Sequence, residues 1–326
     1  MAQKYRKPYT YRFSTTVCWF ALVFLLLTSS VIPSGIAAEN TVLIVQSQQI
    51  AAYNEMIKGF EDGCKGKNIS IQAIYDLEGD IEVGKRIIEN IKDNKPTPKV
   101  ILAVGVLAAT LVKEQFPQVP IIFCMVINYE RFNLQGTNIT GISSEASLKD
   151  QFTILKELMG SHKNIGVIYD PVKTGKTIFE ATNLAEIFQF NLIKTEVSSE
   201  KEVESALKNI VNKIDALWMI PDSTVITKNS IRLISKISVE RRLPVFCTSE
   251  AIVKAGALLS ILPNYAYTGF QASQLAQTLL NSPTTTSLGI KMPDKLKLTL
   301  NTRTAKLIGI NLSSIQTYPD IVLYPE

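Results

Sequence analysis

The chain has 326 residues, 46% apolar and 19% charged, with 34 lysines and arginines against 29 aspartates and glutamates and a single histidine. One histidine excludes a multi-histidine metal centre. The net charge of +5 arises at the start, because residues 1–38 hold four basic and no acidic residues; without them the balance is about +1, and the case for a nucleic-acid-binding surface disappears.

Lys4, Arg6, Lys7 and Arg12 precede an apolar run over Val17–Leu27 and then the small-residue site Ile36-Ala37-Ala38. This is the order of a secretory signal peptide, and the apolar core is shorter than the roughly 20 residues a membrane span needs. Cys18 lies before that core, so it is not placed to carry a lipid at a cleavage site. Removal of residues 1–38 is expected, giving a soluble periplasmic protein; an uncleaved anchor is the alternative, against which the small residues argue. The remaining 288 residues suit two domains. Cys124 and Cys247 each end an apolar run, so with Cys64 they read as packed free thiols rather than a disulfide framework.

Val42, Leu43, Ile44 and Val45 form an unbroken apolar strand, suited to a parallel sheet covered on both faces. Ile50, Tyr53, Ile57 and Phe60 follow at helical spacing. Between them stands the polar group Gln46-Ser47-Gln48-Gln49, where an open α/β sheet would meet a ligand, although every such unit has a loop there whether used or not.

The pattern then recurs. Strands are expected over Ile69–Tyr75, Lys99–Val104 and Val119–Val126, with helices over Asp80–Asp93 and Leu107–Gln115. A second series follows: helices over Leu148–Met159, Thr174–Phe190, Glu200–Lys213 and Thr227–Arg241, with strands over Ile165–Tyr169, Leu192–Val197, Ala216–Ile220 and Val245–Cys247. Alternation of this kind implies an α/β fold of two similar doubly wound parallel-sheet lobes. Extended stretches at Thr140–Ser143, Ala257–Leu262 and Leu296–Leu300 are expected to be three crossings forming a hinge. The lobes are placed at 39–142 plus 264–293 and at 143–263 plus 294–326.

The segments GTNITGIS, KVILAVGVLAATL, VPIIFCMVINYERFNL, NIGVIYDPVKTGK, ALWMIPDSTV and RTAKLIGINL, in this order between Thr41 and Ile315, resemble the ABC-transporter substrate-binding proteins of the tryptophan/tyrosine type. The resemblance implies a type I periplasmic binding protein fold, a ligand cleft between lobes, and delivery of a small, amino-acid-like ligand, aromatic ones included, to a membrane permease. It also implies a ligand loop at Gln46-Ser47-Gln48. Three places depart from the family pattern: Gly105-Val106 stands for Gly-Thr, Pro221-Asp222-Ser223 for Thr-Asp-Asn, and Pro263-Asn264-Tyr265 for Ile-Asp-Tyr.

Several residues are candidates for the cleft. Gly105 precedes a helix and would let a ligand carboxylate approach backbone N–H groups, or it is a plain strand-to-helix turn. Asp222 would pair with a ligand ammonium, or cap the next helix. Tyr53, Tyr129, Tyr169 and Tyr265 follow strand ends, where rings could flank a planar ligand; Tyr53 is also in phase with the core stripe of its helix. Asn128, Ser198, Thr248, Ser249 and Asn264 complete the polar ring, and the resemblance adds Ser47, Gln48, Val106 and Ser223 as candidates.

Catalysis finds no support. His162, in GSHKN, has no nucleophile or metal partner in the pattern, and TGKT at 174–177 lacks the glycine spacing of a phosphate loop. No cofactor, metal or nucleic-acid partner is expected, and the chain is expected to be a monomer. A soluble sensor that presents its bound form to a membrane receptor or sensor kinase is the alternative to transport.

Overall fold

The computed structural model describes residues 40–325 apart from 94–95, 283, 285 and 316–317, so the expected export signal over 1–38 lies outside the described residues. In chain order come β1 (Asn40–Gln46), α1 (Ala51–Cys64), β2 (Ile69–Asp76), α2 (Ile81–Asp93), β3 (Val100–Val104), α3 (Val106–Gln115), β4 (Ile121–Cys124), a 3-10 turn (Tyr129–Phe132) and β5 (Ile139–Ile142). Next are α4 (Leu148–Met159), β6 (Asn164–Tyr169), α5 (Pro171–Ile187), β7 (Asn191–Glu196), α6 (Glu200–Ile210), β8 (Ala216–Trp218), α7 (Lys228–Arg241), β9 (Val245–Cys247), α8 (Glu250–Lys254) and β10 (Leu259–Pro263). The chain returns through α9 (Tyr265–Leu280) and β11 (Ile290–Lys291), then adds β12 (Leu296–Asn301), α10 (Thr302–Ile308) and β13 (Ile321–Tyr324).

Two sheets result. The first has the order β11-β5-β4-β3-β1-β2 with every pair parallel, and the second the order β13-β12-β10-β9-β8-β6-β7 with β10 and β12 antiparallel and the other pairs parallel. This is the α/β fold of two doubly wound lobes that the alternation implies. In each lobe the order reverses beside the first strand, at β1/β3 and at β6/β8, and such reversals open a crevice at the strands' carboxyl ends.

The core explains the apolar runs. Val42 and Ile44 pack with Met56, Phe60 and Ala272 on one face of the first sheet, while Leu43 and Val45 pack with Ile88 and Leu111 on the other. In the second sheet Val167, Trp218 and Leu300 share a core with Phe152, whereas Leu217, Val245 and Val253 fill the opposite side. The three cysteines among the described residues, Cys64, Cys124 and Cys247, are free and buried.

The extended stretches at 140–143, 257–262 and 296–300 are largely incorporated in the sheets, as β5 of the first and β10 and β12 of the second, and the chain passes between sheets at their ends, over 143–147, at Asn264 and over 292–295. Three helices, α8, α9 and α10, have no counterpart in the sequence reading, and α9 is the longest of them. α9 lies against α1 so closely that a Cβ on Gly59 would stand 1.9 Å from the Ala266 carbonyl oxygen, and one on Gly269 would stand 2.0 Å from that of Met56. Small residues at the crossing allow that approach, which anchors α9 on the first lobe although its chain has just left the second.

Candidate functional site

Three groups of residues occupy the strand ends. The first is at the β1/β3 reversal. The Ser47 hydroxyl donates to the Val104 carbonyl at 3.0 Å and accepts the Ala108 N–H at 3.0 Å, so it caps α3. Gly105, at φ +87°, is the turn into α3, and a Cβ there would lie 2.5 Å from the Tyr53 hydroxyl and 2.6 Å from the Ser47 Oγ. Only glycine admits both the backbone and the two oxygens. Val106, the next residue, is half-buried, and Gln48 is exposed with its amide over Gly79. Burial pushes the Tyr53 phenol up; burial, then the Glu250 and Glu55 carboxylates, do the same to Tyr265.

The second group, at the β6/β8 reversal, is a closed polar network. Asp222 is buried; its Oδ2 accepts the Asp170 N–H at 2.8 Å and the Thr174 hydroxyl at 2.6 Å, and its Oδ1 accepts the Thr224 N–H at 2.9 Å. Asp170 answers by accepting the Thr224 hydroxyl at 2.7 Å and the Val172 N–H at 2.9 Å, which caps α5. The Thr224 hydroxyl, with the Val172 N–H, holds the Asp170 carboxyl below its ordinary range.

The third group surrounds a cavity of about 460 Å³ walled by both lobes. From the first lobe come Asn128, Tyr129, Glu130 and Arg131, from the crossing Ser143 and Glu145, and from the second lobe Lys173, Lys176, Trp218 and Pro221. Asn128 reaches its place through a left-handed backbone at φ +51°, a conformation asparagine tolerates. It spans the lobes, with its N–H donating to the Glu145 Oε2 at 3.2 Å and its Nδ2 donating to the Pro221 carbonyl at 3.5 Å. Lys176 and Glu130 form an ion pair across the same gap. The Trp218 indole N–H is satisfied by the Gln151 Oε1 at 3.0 Å, so its ring is a fixed wall. Burial, then Glu130, push the Glu145 carboxyl up against the opposing Asn128 N–H.

Of the residues singled out in the sequence, Asn128 and Tyr129 line the cavity, while Ser47, Tyr53 and Gly105 meet at the first reversal. The others are placed elsewhere. Tyr169 is buried with its hydroxyl donating to the Glu196 carboxylate at 2.8 Å, Ser223 is exposed and accepts Lys173 at 2.9 Å, and Thr248 is half-buried after β9. Ser198 donates to the Glu202 carboxylate at 2.9 Å, and Ser249 stands at the start of α8. Asn264 caps α9 through the Tyr267 N–H at 2.8 Å and donates to Asp320 at 2.5 Å. Sequence reasoning misses Glu145, Trp218 and Lys173 and meets Lys176 only within TGKT; the one signal for Glu145 is an acid among small residues just past GTNITGIS. Among the described residues, no group of three or more His, Cys, Asp and Glu could hold a metal ion, and no helix is long and apolar enough to cross a membrane.

A model of the family described as ABC transporter substrate binding protein matches residues 41–322. A protein named tyrosine-binding protein from Clostridioides difficile (strain R20291) is 24% identical over 261 residues, 78% of this chain and 73% of that one. Among solved structures, the ligand-free, open form of a substrate binding protein with adhesive properties from Clostridium difficile superposes with a TM-score of 0.73 at 22% identity, over 87% of this chain and 99% of that one. An ABC domain from Streptococcus pneumoniae in complex with L-Trp gives a TM-score of 0.61 at 19% identity, over 86% and 99%. These structures share the type I periplasmic binding fold seen here.

Proposed function

Because the chain belongs to the ABC transporter substrate binding protein family, we propose that it is exported to the periplasm, captures one amino-acid-like ligand between its lobes and delivers it to a membrane permease. The observation that carries this reading is the two-sided wall of the cavity, with Asn128 and Tyr129 on one lobe and Lys173 and Trp218 on the other. A molecule held there touches both lobes, so its binding energy favours their approach. The cavity volume falls in the range usual for small-molecule sites.

Charges of both signs line it, Glu130 and Glu145 against Arg131, Lys173 and Lys176, which suits a zwitterion. The tyrosine-binding and L-Trp-bound relatives support an amino acid in particular. In this reading the chain acts as a monomer, the three crossings are the hinge, residues 1–38 are the export signal, and Ser47, Gly105, Tyr53 and Tyr265 form the far wall met on closure.

Native mass spectrometry of the protein purified from its exported form, followed by calorimetric titration with the twenty amino acids, tests the proposal. One small molecule per chain and saturable binding of an amino acid are expected, with a mature N-terminus near Glu39. A protein that carries nothing and binds none of the twenty overturns the reading.

A further inference from the structure

We propose that Glu145 recognises a cationic group on the ligand, so that the molecule taken into the cavity carries a primary ammonium. The assignment rests on the ligand-capture reading above and names the group it selects. Glu145 stands on the first crossing with its half-buried carboxylate lining the cavity, where it accepts a single backbone N–H, that of Asn128 at 3.2 Å. No lysine, arginine or histidine among the described residues forms an ion pair with it. A carboxylate withdrawn from water without a counter-charge is costly, and burial accordingly pushes this one towards its neutral form.

The cavity is lined by three cations, Arg131, Lys173 and Lys176, and none of them forms an ion pair with Glu145. Lys176 pairs with Glu130, and the Lys173 ammonium donates to the Ser223 hydroxyl at 2.9 Å. The wall therefore holds an anionic acceptor whose complement the wall does not supply. An ammonium on the ligand supplies it through charge-assisted hydrogen bonds, whereas a neutral group in the same place leaves the carboxylate uncompensated. The opposite arrangement, in which a lysine swings onto Glu145 as the lobes close, would make Glu145 a latch that helps every ligand equally. The two arrangements therefore differ in what they discriminate.

The test compares L-tyrosine, L-tryptophan and L-leucine with their des-amino counterparts, by calorimetry on the wild-type protein and on Glu145→Gln. In the wild type the amino acid that binds is expected to do so at least about 30-fold more tightly than its des-amino counterpart, the ratio that loss of a desolvated charge partner produces. Glu145→Gln should lower affinity for the amino acid by a similar factor and leave the des-amino affinity unchanged. Thermal unfolding of the ligand-free variant at or above the wild-type temperature verifies that it folds. Undiminished amino-acid binding by the variant overturns this assignment alone. Equal losses for both ligand types, the latch outcome, also overturn it alone. A wild-type protein that carries nothing and binds none of the twenty amino acids overturns the capture reading and this assignment together.

Discussion

The carboxylate of Asp222 accepts the backbone N–H of Asp170 at 2.8 Å, tying the end of β8 to the end of β6. With the Thr174 hydroxyl and the Thr224 N–H also bound, every contact of this buried side chain is internal to the second lobe. Removing it leaves two N–H groups without an acceptor. Asp222→Ala is expected to lower stability by about 3 kcal/mol, since hydrogen bonds to a charged group contribute about 1.5–3 kcal/mol each and partial solvation offsets some of the loss. Urea unfolding measures this. A variant as stable as the wild type, but with weakened ligand binding, would return Asp222 to the ligand.

Gly105 should tolerate no side chain. Gly105→Ala meets both a left-handed backbone and two oxygens, at 2.5 Å and 2.6 Å from the new Cβ, so a loss of about 2–3 kcal/mol is expected. Gly66→Ala is the control, with φ +75° and nothing within 4 Å, and should lose only the backbone share, about 1 kcal/mol. Equal losses in the two variants, measured by thermal unfolding, would mean that Tyr53 and Ser47 move aside freely.

The contact of α1 with α9 makes a prediction of opposite sign to helix propensity. On propensity alone Gly269→Ala would gain about 1 kcal/mol. The new Cβ would stand 2.0 Å from the Met56 carbonyl oxygen and 2.5 Å from the Phe60 nitrogen, both backbone, so the helices must separate. A loss of at least about 3 kcal/mol is expected in denaturant unfolding, and a stabilised variant would contradict the close crossing.

Glu145 gives a pH dependence. Its folded carboxyl is held above its unfolded value by burial and then by Glu130, so the stability it contributes is present below the unfolded value and is lost as pH rises through the folded one. Ligand-free Glu145→Gln should therefore melt with the wild type in acid and above it at neutral pH. Glu130, Glu180, Arg131, Lys173 and Lys176 also line the cavity, and the difference between wild type and variant cancels their own titration. A gap in melting temperature that is independent of pH would remove the carboxylate charge as the cause.

Where residues declare themselves by apolarity, the sequence was readable. Val42 to Val45 are buried on both faces of the first sheet, as an unbroken run requires. α9 was not readable, because its buried face is Thr268, Gly269, Gln271, Ala272, Ser273, Ala276 and Leu279, of which all but the last are small or polar, so no apolar period shows. The strand-end sites were partly legible. Topology located Ser47, Gly105 and Asp222 at the two reversals, but their hydrogen bonds depend on partners such as Ala108 and Asp170 that no local pattern reveals. Glu145 is the converse case: it lacks an ion-pair partner among the described residues, a property of the folded surroundings alone.

The register of the crossings has a consequence for cutting the chain. Lys291 pairs with Ile142, and the Ser143 N–H donates to the Lys291 carbonyl at 2.9 Å. Leu296 pairs with Pro263, and the Asn264 N–H donates to the Lys295 carbonyl at 2.9 Å. The third crossing is thus laced to the first at one end and to the second at the other. A protease that nicks the backbone within 292–295 severs one of three covalent links and leaves both lacings in place. The two fragments should travel as a single species in native electrophoresis and part only in denaturant, so neither lobe can be released intact by a single cut.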